Sequence, residues 1–409
     1  MAEDDSGHEA PTRRDYVKYG GAVVGGGLLA GCSGGESGAT SVGTSTESTT
    51  GAKTNTPEDE SYSVTMSPVG TVEFESVPES AMVYSQLYAD AAVALGHGGA
   101  VNSLGFSWYG DILDFFLDSL DIISPDWGSL PQIYNDGLDK EVLYELDSDV
   151  HLMDPTWALS SAFGWSRVDV DEIAENVGPW FGNYFSRLNG SPPDAYAGSY
   201  EYYTMWEIVE KVSQVFREEG RYDALATVRA DLRNEIASKL PEERPSVALT
   251  MYSEEEFRVY FLNEPGYARS FTRPFGATDV FAEMGGLEEN TGWLDFEGML
   301  ELDPDVILQF WGITPDTNMA EMRTALESHP VGKELTAVRN DRVYASGVGG
   351  QGPIMNLFQL EMTAKQLYPE QFGEWPGYVD GEPYPEIPDE ERLFDRQRVA
   401  DVVNGEFEQ

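Results

Sequence analysis

The segment Glu141-Val-Leu-Tyr-Glu145-Leu146-Asp147-Ser-Asp149-Val150-His-Leu152 returns as Glu297-Gly-Met-Leu-Glu301-Leu302-Asp303-Pro-Asp305-Val306-Ile-Leu308, identical at seven of twelve positions and 156 residues further on. Each copy reads as a helical turn opened by Glu, a tight Asp turn and an apolar strand. Two copies imply two similar α/β lobes. The same unit also arises by convergence in unrelated α/β chains, so the flanking sequence has to carry the rest.

On both sides of each copy, strand and helix signals alternate. Ala81 to Tyr84, Val101 to Leu104 and Val150 to Met153 read as strands of the first lobe, with a short helix from Asp90 to Leu95 ended by Gly96. Ser246 to Tyr252, Arg258 to Leu262, Val306 to Phe310 and Arg342 to Ala345 read as strands of the second, with a helix from Asp279 to Met284 stopped by Gly285-Gly286. Between the series, Tyr222 to Leu240 holds no Gly or Pro, and Leu225, Val228, Leu232, Ile236 and Leu240 share one helical face between Gly220 and Pro241. A helix of about 19 residues spans about 28 Å, enough to run from one lobe to the other. A surface helix within one lobe fits the same spacing.

The 409 residues include 72 acidic and 25 basic, the latter 7 Lys and 18 Arg, for a formal charge of −47. That charge disfavours nucleic acid and anionic membrane surfaces as partners. It is the surface expected of a halophile, because at multimolar salt the Debye length falls to about 3 Å and like charges barely repel. With 41% hydrophobic residues and 9 Trp, disorder throughout is excluded.

The single cysteine, Cys32, rules out internal disulfides and Cys-based metal clusters. Thr12-Arg13-Arg14-Asp15-Tyr16-Val17-Lys18 has the twin-arginine form, Tyr19 to Ala30 is apolar and too short to span a bilayer, and Leu29-Ala30-Gly31-Cys32 follows. The series looks like a twin-arginine lipoprotein signal, with cleavage before Cys32 and a lipid on its thiol. Ser33 to about Ser61 has almost no apolar residue and is expected to be a disordered tether.

Taken in order, Val77-Pro78, the strand Met82 to Tyr84, Ala94-Leu95-Gly96, both repeats, Phe281 to Gly286, His329-Pro330-Val331-Gly332, Leu335-Thr336-Ala337-Val338, Asn340-Asp341-Arg342-Val343-Tyr344 and Leu360 to Pro369 carry a resemblance. Over roughly Val77 to Phe372 the chain resembles the substrate-binding lipoproteins of ABC importers for ferric siderophores, haem and cobalamin, in a haloarchaeal form. The resemblance implies two α/β lobes with central, mostly parallel sheets joined by a single long helix. It also implies an extracytoplasmic, monomeric protein that captures a ferric siderophore or related metal chelate between its lobes, or cobalamin or haem. No reaction would be catalysed and no cofactor held. The partners would be an ABC permease dimer and its ATPase, toward which the glutamate opening each repeat, Glu141 and Glu297, projects in that family.

The expected organisation is a signal over residues 1–32, a tether over 33–61, an N-terminal lobe over 62–219, a connecting helix over 220–244, a C-terminal lobe over 245–372 and an extension over 373–409. A Trp-rich insertion from Trp157 to Tyr203 and the tail from Trp375 depart from the family pattern. In the tail, Asp389 to Val403 fits a helix packed on a lobe, with disorder the alternative.

Ligands of open α/β sheets sit beyond the carboxyl ends of strands. That rule selects Tyr84, Trp108, Tyr109 and Trp157 on one side, and Arg269, Arg273 and Trp311 on the other. Two arginines within five residues suit bidentate pairing with carboxylate, hydroxamate or catecholate oxygens, and aromatic faces suit an organic ligand. The alternative is that the arginines bridge surface carboxylates and the aromatics are core. A bare metal ion is disfavoured, because His97, His151 and His329 are far apart in sequence. A secreted enzyme and a cell-surface structural protein are the competing classes. Against the first, the chain has no H-E-x-x-H helix or P-loop, and its G-x-S-x-G run, Gly31 to Gly35, falls at the signal rather than between a strand and a helix.

Overall fold

A computed structural model describes residues 61–134, 137–160, 163–284 and 292–407. The twin-arginine segment, Cys32, the tether up to residue 60 and Gly285-Gly286 lie outside the described residues.

The described chain opens on an antiparallel hairpin, β1 (Tyr62–Met66) and β2 (Gly70–Phe74), whose alternate residues Val64, Met66, Val72 and Phe74 are buried. In the first lobe β3 (Ala81–Val83) runs parallel to β4 (Val150–Leu152). Parallel bridges Ala81–Val101, Leu104–Gln132 and His151–Trp180 widen this pair into a layer. The second lobe is built on β5 (Ser246–Ser253), β6 (Glu256–Tyr260), β7 (Thr278–Asp279), β8 (Trp293–Leu294), β9 (Val306–Gln309) and β10 (Val343–Ala345). They form one sheet in the order β10-β9-β5-β6-β8, with β7 also on β5. β5, β7, β9 and β10 are parallel, whereas β6 and β8 add antiparallel pairs at one edge.

The repeat is a structural one. Helix Lys140–Leu146 is capped by Asp139 and helix Phe296–Leu302 by Asp295, and both end on a left-handed aspartate, Asp147 (φ 49°) and Asp303 (φ 38°). The second aspartate of each copy then grips the serine that opens the neighbouring strand. Asp149 accepts from Ser80 N (2.9 Å) and Oγ (3.0 Å), and Asp305 from Ser246 N and Oγ (both 2.8 Å). In return each serine hydroxyl accepts from the backbone N–H of its aspartate. Each lobe thereby fixes the register of its central parallel pair, Ala81 opposite Val150 and Val247 opposite Val306, with the same two side chains.

The connecting helix spans Glu219–Lys239, with Leu225, Val228, Leu232 and Ile236 buried. It begins before Tyr222, and Gly220 is part of its first turn rather than its boundary. It packs on helix Met205–Phe216 of the N-terminal half and on the turn Arg273–Phe275 of the C-terminal half. No described helix is long and apolar enough to cross a membrane.

Two sequence expectations are corrected. Asp279 to Met284 forms no helix; Thr278 and Asp279 pair with β5, and turns follow, because the Asp279 carboxylate is spent on Leu262 N (2.7 Å) and Phe281 N (3.0 Å). The first helix starts at Gln86, before Asp90. The long helix that follows β10 touches both lobes: near its end Arg342 donates to Gln366 O and Leu367 O, and Gln366 Nε2 to Ala345 O of the second. Every residue of helix Pro353–Leu367 is buried, and it packs on helices Gln86–Ala94 and Trp108–Leu117 of the first lobe. Asp90 caps it across the lobes, accepting from Ile354 N (3.2 Å) and Met355 N (2.9 Å), and burial pushes that carboxyl up to about 7. A Cβ at Gly352 would stand 2.5 Å from that of Asp90, so the approach requires glycine. The tail ends in the helix Arg396–Asn404, capped by Asp395, with Val399, Val402 and Val403 buried.

Candidate functional site

A cavity of about 940 Å³ opens between the lobes. Its N-terminal wall comes from the Trp-rich insertion, Trp157, Tyr184, Phe185 and Arg187; its C-terminal wall includes Arg258, Tyr260, Arg269, Phe310 and Trp311. The insertion is held by buried Asp154, which accepts from Thr156 N (2.8 Å), Tyr184 N (2.8 Å) and Tyr200 Oη (2.5 Å). These bonds seat Tyr184 face to face on Trp157, with centroids 4.0 Å apart.

Three arginines line the cavity of a protein that has only 18. Arg269 is 1% exposed, bonds Phe261 O through Nε (2.9 Å), stands 3.4 Å from Glu264 and lies 4.4 Å from the Phe310 ring centroid. Burial lowers its pKa to about 10, with Glu264 opposing the shift. Arg187 stands over Tyr184 at 5.6 Å and Arg258 over Tyr260 at 5.4 Å. Arg187 Nε, Arg258 Nε and Arg269 Nη1 are buried nitrogens without a hydrogen-bond partner. Buried N–H donors left unmatched cost about 1 to 3 kcal/mol each, and all three arginines bring one, with its positive charge, to this wall.

Of the seven residues selected from sequence, Trp157, Arg269 and Trp311 line this cavity. Trp108 lies at its neighbour, a groove of about 750 Å³ that shares Trp311, and the two indoles meet edge to face across the lobes at 5.8 Å. Tyr84 and Tyr109 pack one layer behind, in an aromatic cluster around Phe106. Burial raises the Tyr84 hydroxyl to about 12. Arg273 does not join Arg269. Its Nη1 donates to the carbonyls of Glu264 (2.7 Å) and Gly266 (2.5 Å), and it lines a different cavity. Only three residues separate the two arginines, but the intervening turns point them to opposite sides of one loop. The sequence does not single out Arg187, Arg258 or Tyr184; the scarcity of arginine is a signal for the first two, and none exists for Tyr184.

Trp311 adopts the left-handed conformation (φ 59°), unusual for a bulky residue and a cost of order 1 to 3 kcal/mol. Its N–H bonds Gly347 O (3.1 Å) and its carbonyl accepts from Thr317 Oγ1 (3.0 Å). A Cβ on Gly312 would meet Gln309 O at 2.5 Å. The strand end is therefore tightly fixed where the indole crosses to the other lobe.

The histidines stay apart. His97 stacks on Phe216, His329 stacks on Phe296 and caps Val331 N and Gly332 N through Nδ1, and His151 lies buried against Trp180 with its pKa lowered to about 4 by desolvation. Among the described residues no group of three or more His, Cys, Asp or Glu is placed to hold a metal ion.

The family model for periplasmic binding proteins matches residues 176–347. No curated protein sequence matches the chain. Among solved structures, the iron uptake ABC transporter substrate-binding protein PiuA of Streptococcus pneumoniae aligns with a TM-score of 0.53 at 16% identity, over 73% of this chain and 96% of that one. The periplasmic catecholate-siderophore binding protein VctP of Vibrio cholerae aligns with 0.50 at 15%, over 73% and 98%. Ceue of Helicobacter pylori, solved with Ni(II) bound, aligns with 0.50 at 14%, over 76% and 90%. The matched family is one of extracytoplasmic binding proteins. The chain has the class III fold of those periplasmic binding proteins, two α/β lobes joined by one long helix, and carries their sequence pattern over residues 176–347.

Proposed function

We propose that the protein is the substrate-binding lipoprotein of an ABC importer and captures an anionic, oxygen-rich ferric chelate of the siderophore class between its lobes. The observation that carries this reading is the set of three unmatched guanidinium nitrogens on Arg187, Arg258 and Arg269 around one interlobe cavity. Guanidinium groups pair bidentately with carboxylate or catecholate oxygens, and Trp157, Tyr184 and Phe310 offer faces for the organic frame. On this reading any iron arrives inside its chelator; among the described residues no group of three or more His, Cys, Asp or Glu accompanies the arginines. The test is intrinsic tryptophan fluorescence during titration with ferric tricatecholate, ferric citrate, neutral ferric hydroxamates, haem and cobalamin in high salt. Saturation by the anionic chelates well below the neutral ones supports the reading; preference for haem or cobalamin overturns it.

The tether and the permease contact belong to the same proposal. Cys32→Ser should leave folded, exported protein released into the medium, because the covalent lipid supplies the membrane affinity. Retention in membranes after a salt and carbonate wash would exclude the lipid on Cys32. Glu141 and Glu297 are exposed, and each lies two residues after its capping aspartate in an equivalent helix. A carboxylate in a first helical turn also offsets the helix dipole by about 0.3 to 1 kcal/mol, so stability and docking have to be separated. The Glu141→Ala/Glu297→Ala double variant should keep chelate affinity and melting temperature while uptake into cells falls. Normal uptake at wild-type expression would leave only the capping role.

A further inference from the structure

The loop that turns Arg269 toward the cleft turns Arg273 into a second cavity, of about 420 Å³, set against the connecting helix. Three cations line it: Arg229 and Arg233, four residues apart on that helix, and Arg273 from the second lobe. Trp206, from the N-terminal half, forms the floor beneath Arg229, whose guanidinium carbon lies 5.0 Å from the ring centroid. The like-charged i,i+4 pair works against the helix that carries it. No ion pair to any of the three is found among the described residues, although the chain has 72 acids. The one carboxylate in the wall, Glu207, has an oxygen already accepting from Thr204 N (2.7 Å) and Oγ1 (2.8 Å) in a capping box.

Arg229 Nε is buried without a hydrogen-bond partner. Burial lowers the Arg229 pKa to about 10 and Arg233 adds to the shift; Arg273 is lowered by the same two causes in the same order. Arg233 therefore presses on both neighbours. A chain with a formal charge of −47 has gathered uncompensated positive charge in a second concave site, on the far side of the loop that carries Arg269, and the missing component is negative.

We propose that this cavity is a second binding site, for a compact oxyanion such as sulfate, phosphate or a small carboxylate, held by Arg229, Arg233 and Arg273. Planar guanidinium forks match such oxygens, and the volume suits a small anion better than a ferric chelate. Bound there, the ion ties the connecting helix to the turn Arg273–Phe275 and steadies the loop whose other side carries Arg269. The inference is independent of what the cleft binds.

Isothermal titration of the full chain with sodium sulfate, phosphate or acetate, in chloride at constant ionic strength, tests it. Because the cleft also presents arginines, the titration is repeated on Arg187→Gln, where one saturable event should persist. Arg229→Gln/Arg233→Gln should lose that event, while its melting temperature in chloride stays equal or rises as the repulsion is removed. Arg273→Lys should weaken binding about tenfold, and the exposed Arg339→Gln should not. Absence of saturable binding for all three anions in the wild type overturns the proposal, as does wild-type binding by a folded Arg229→Gln/Arg233→Gln variant.

Discussion

Arg187→Gln combined with Arg269→Gln will weaken binding of an anionic ferric chelate by roughly thirty- to several-thousand-fold, the effect of about 2 to 5 kcal/mol expected when buried charge partners are removed. A neutral ferric hydroxamate should lose far less, because its oxygens carry no net charge to be left unpaired. The two substitutions differ in their structural burden. Arg269 is almost fully buried, bonds a backbone carbonyl and rests on Phe310, so its removal also disturbs packing. Arg187 is half-buried and has a buried Nε without a partner, so Arg187→Gln alone should lower affinity with little change in melting temperature. Fluorescence titration beside a melting curve reads both quantities. Unchanged affinity for every chelate in the folded double variant would move the ligand out of this cavity, with the Trp108–Trp311 groove the next surface to probe.

The difference between Arg269 and Arg273 shows where sequence reasoning stopped. The repeat, most of the core strands and the connecting helix are legible because hydrophobic periodicity and a duplicated Asp turn are local signals, and the Ser80–Asp149 and Ser246–Asp305 clamps repeat the same local chemistry. The cleft depends on loop trajectories. Two short turns between Tyr267 and Phe275 decide which face of the loop each arginine takes, and no periodicity encodes that. Arg187 was illegible for a different reason. It lies in the Trp-rich insertion, whose course is set by Asp154 accepting from Tyr184 N and Tyr200 Oη, partners 30 and 46 residues away. Aromatic content marked the insertion as unusual without saying which aromatics face the ligand. Tyr84 and Tyr109 follow strands as expected of cleft residues but were absorbed into packing around Phe106.

The C-terminal extension carries the largest stability effect. Glu361 is fully buried in the helix Pro353–Leu367, where it accepts from Leu393 N (2.7 Å) and Tyr384 Oη (2.9 Å) and pairs with Arg396. The Arg396 guanidinium lies between Phe394 and Phe358, 3.8 and 4.1 Å from their ring centroids. Lys365, one turn along the same helix, donates to Phe372 O (2.6 Å) and adds a second positive charge near Arg396, so nothing there replaces the Glu361 carboxylate. Glu361→Ala leaves a buried guanidinium unpaired and two donors unmatched, a loss of about 3 to 5 kcal/mol. At about 2 to 4 °C per kcal/mol for domains of 150 to 250 residues, the melting temperature should fall by roughly 10 °C. Replacing both partners removes the stranded charge, so Glu361→Leu/Arg396→Met should be less damaging than Glu361→Ala alone, and a double-mutant cycle measures the coupling. High salt should change this result little, since screening acts on exposed pairs and this one is enclosed by aromatic rings. A Glu361→Ala protein melting within a degree of wild type would mean that the extension is held by Tyr384, Val399 and Val402 packing alone, with the ion pair contributing nothing net.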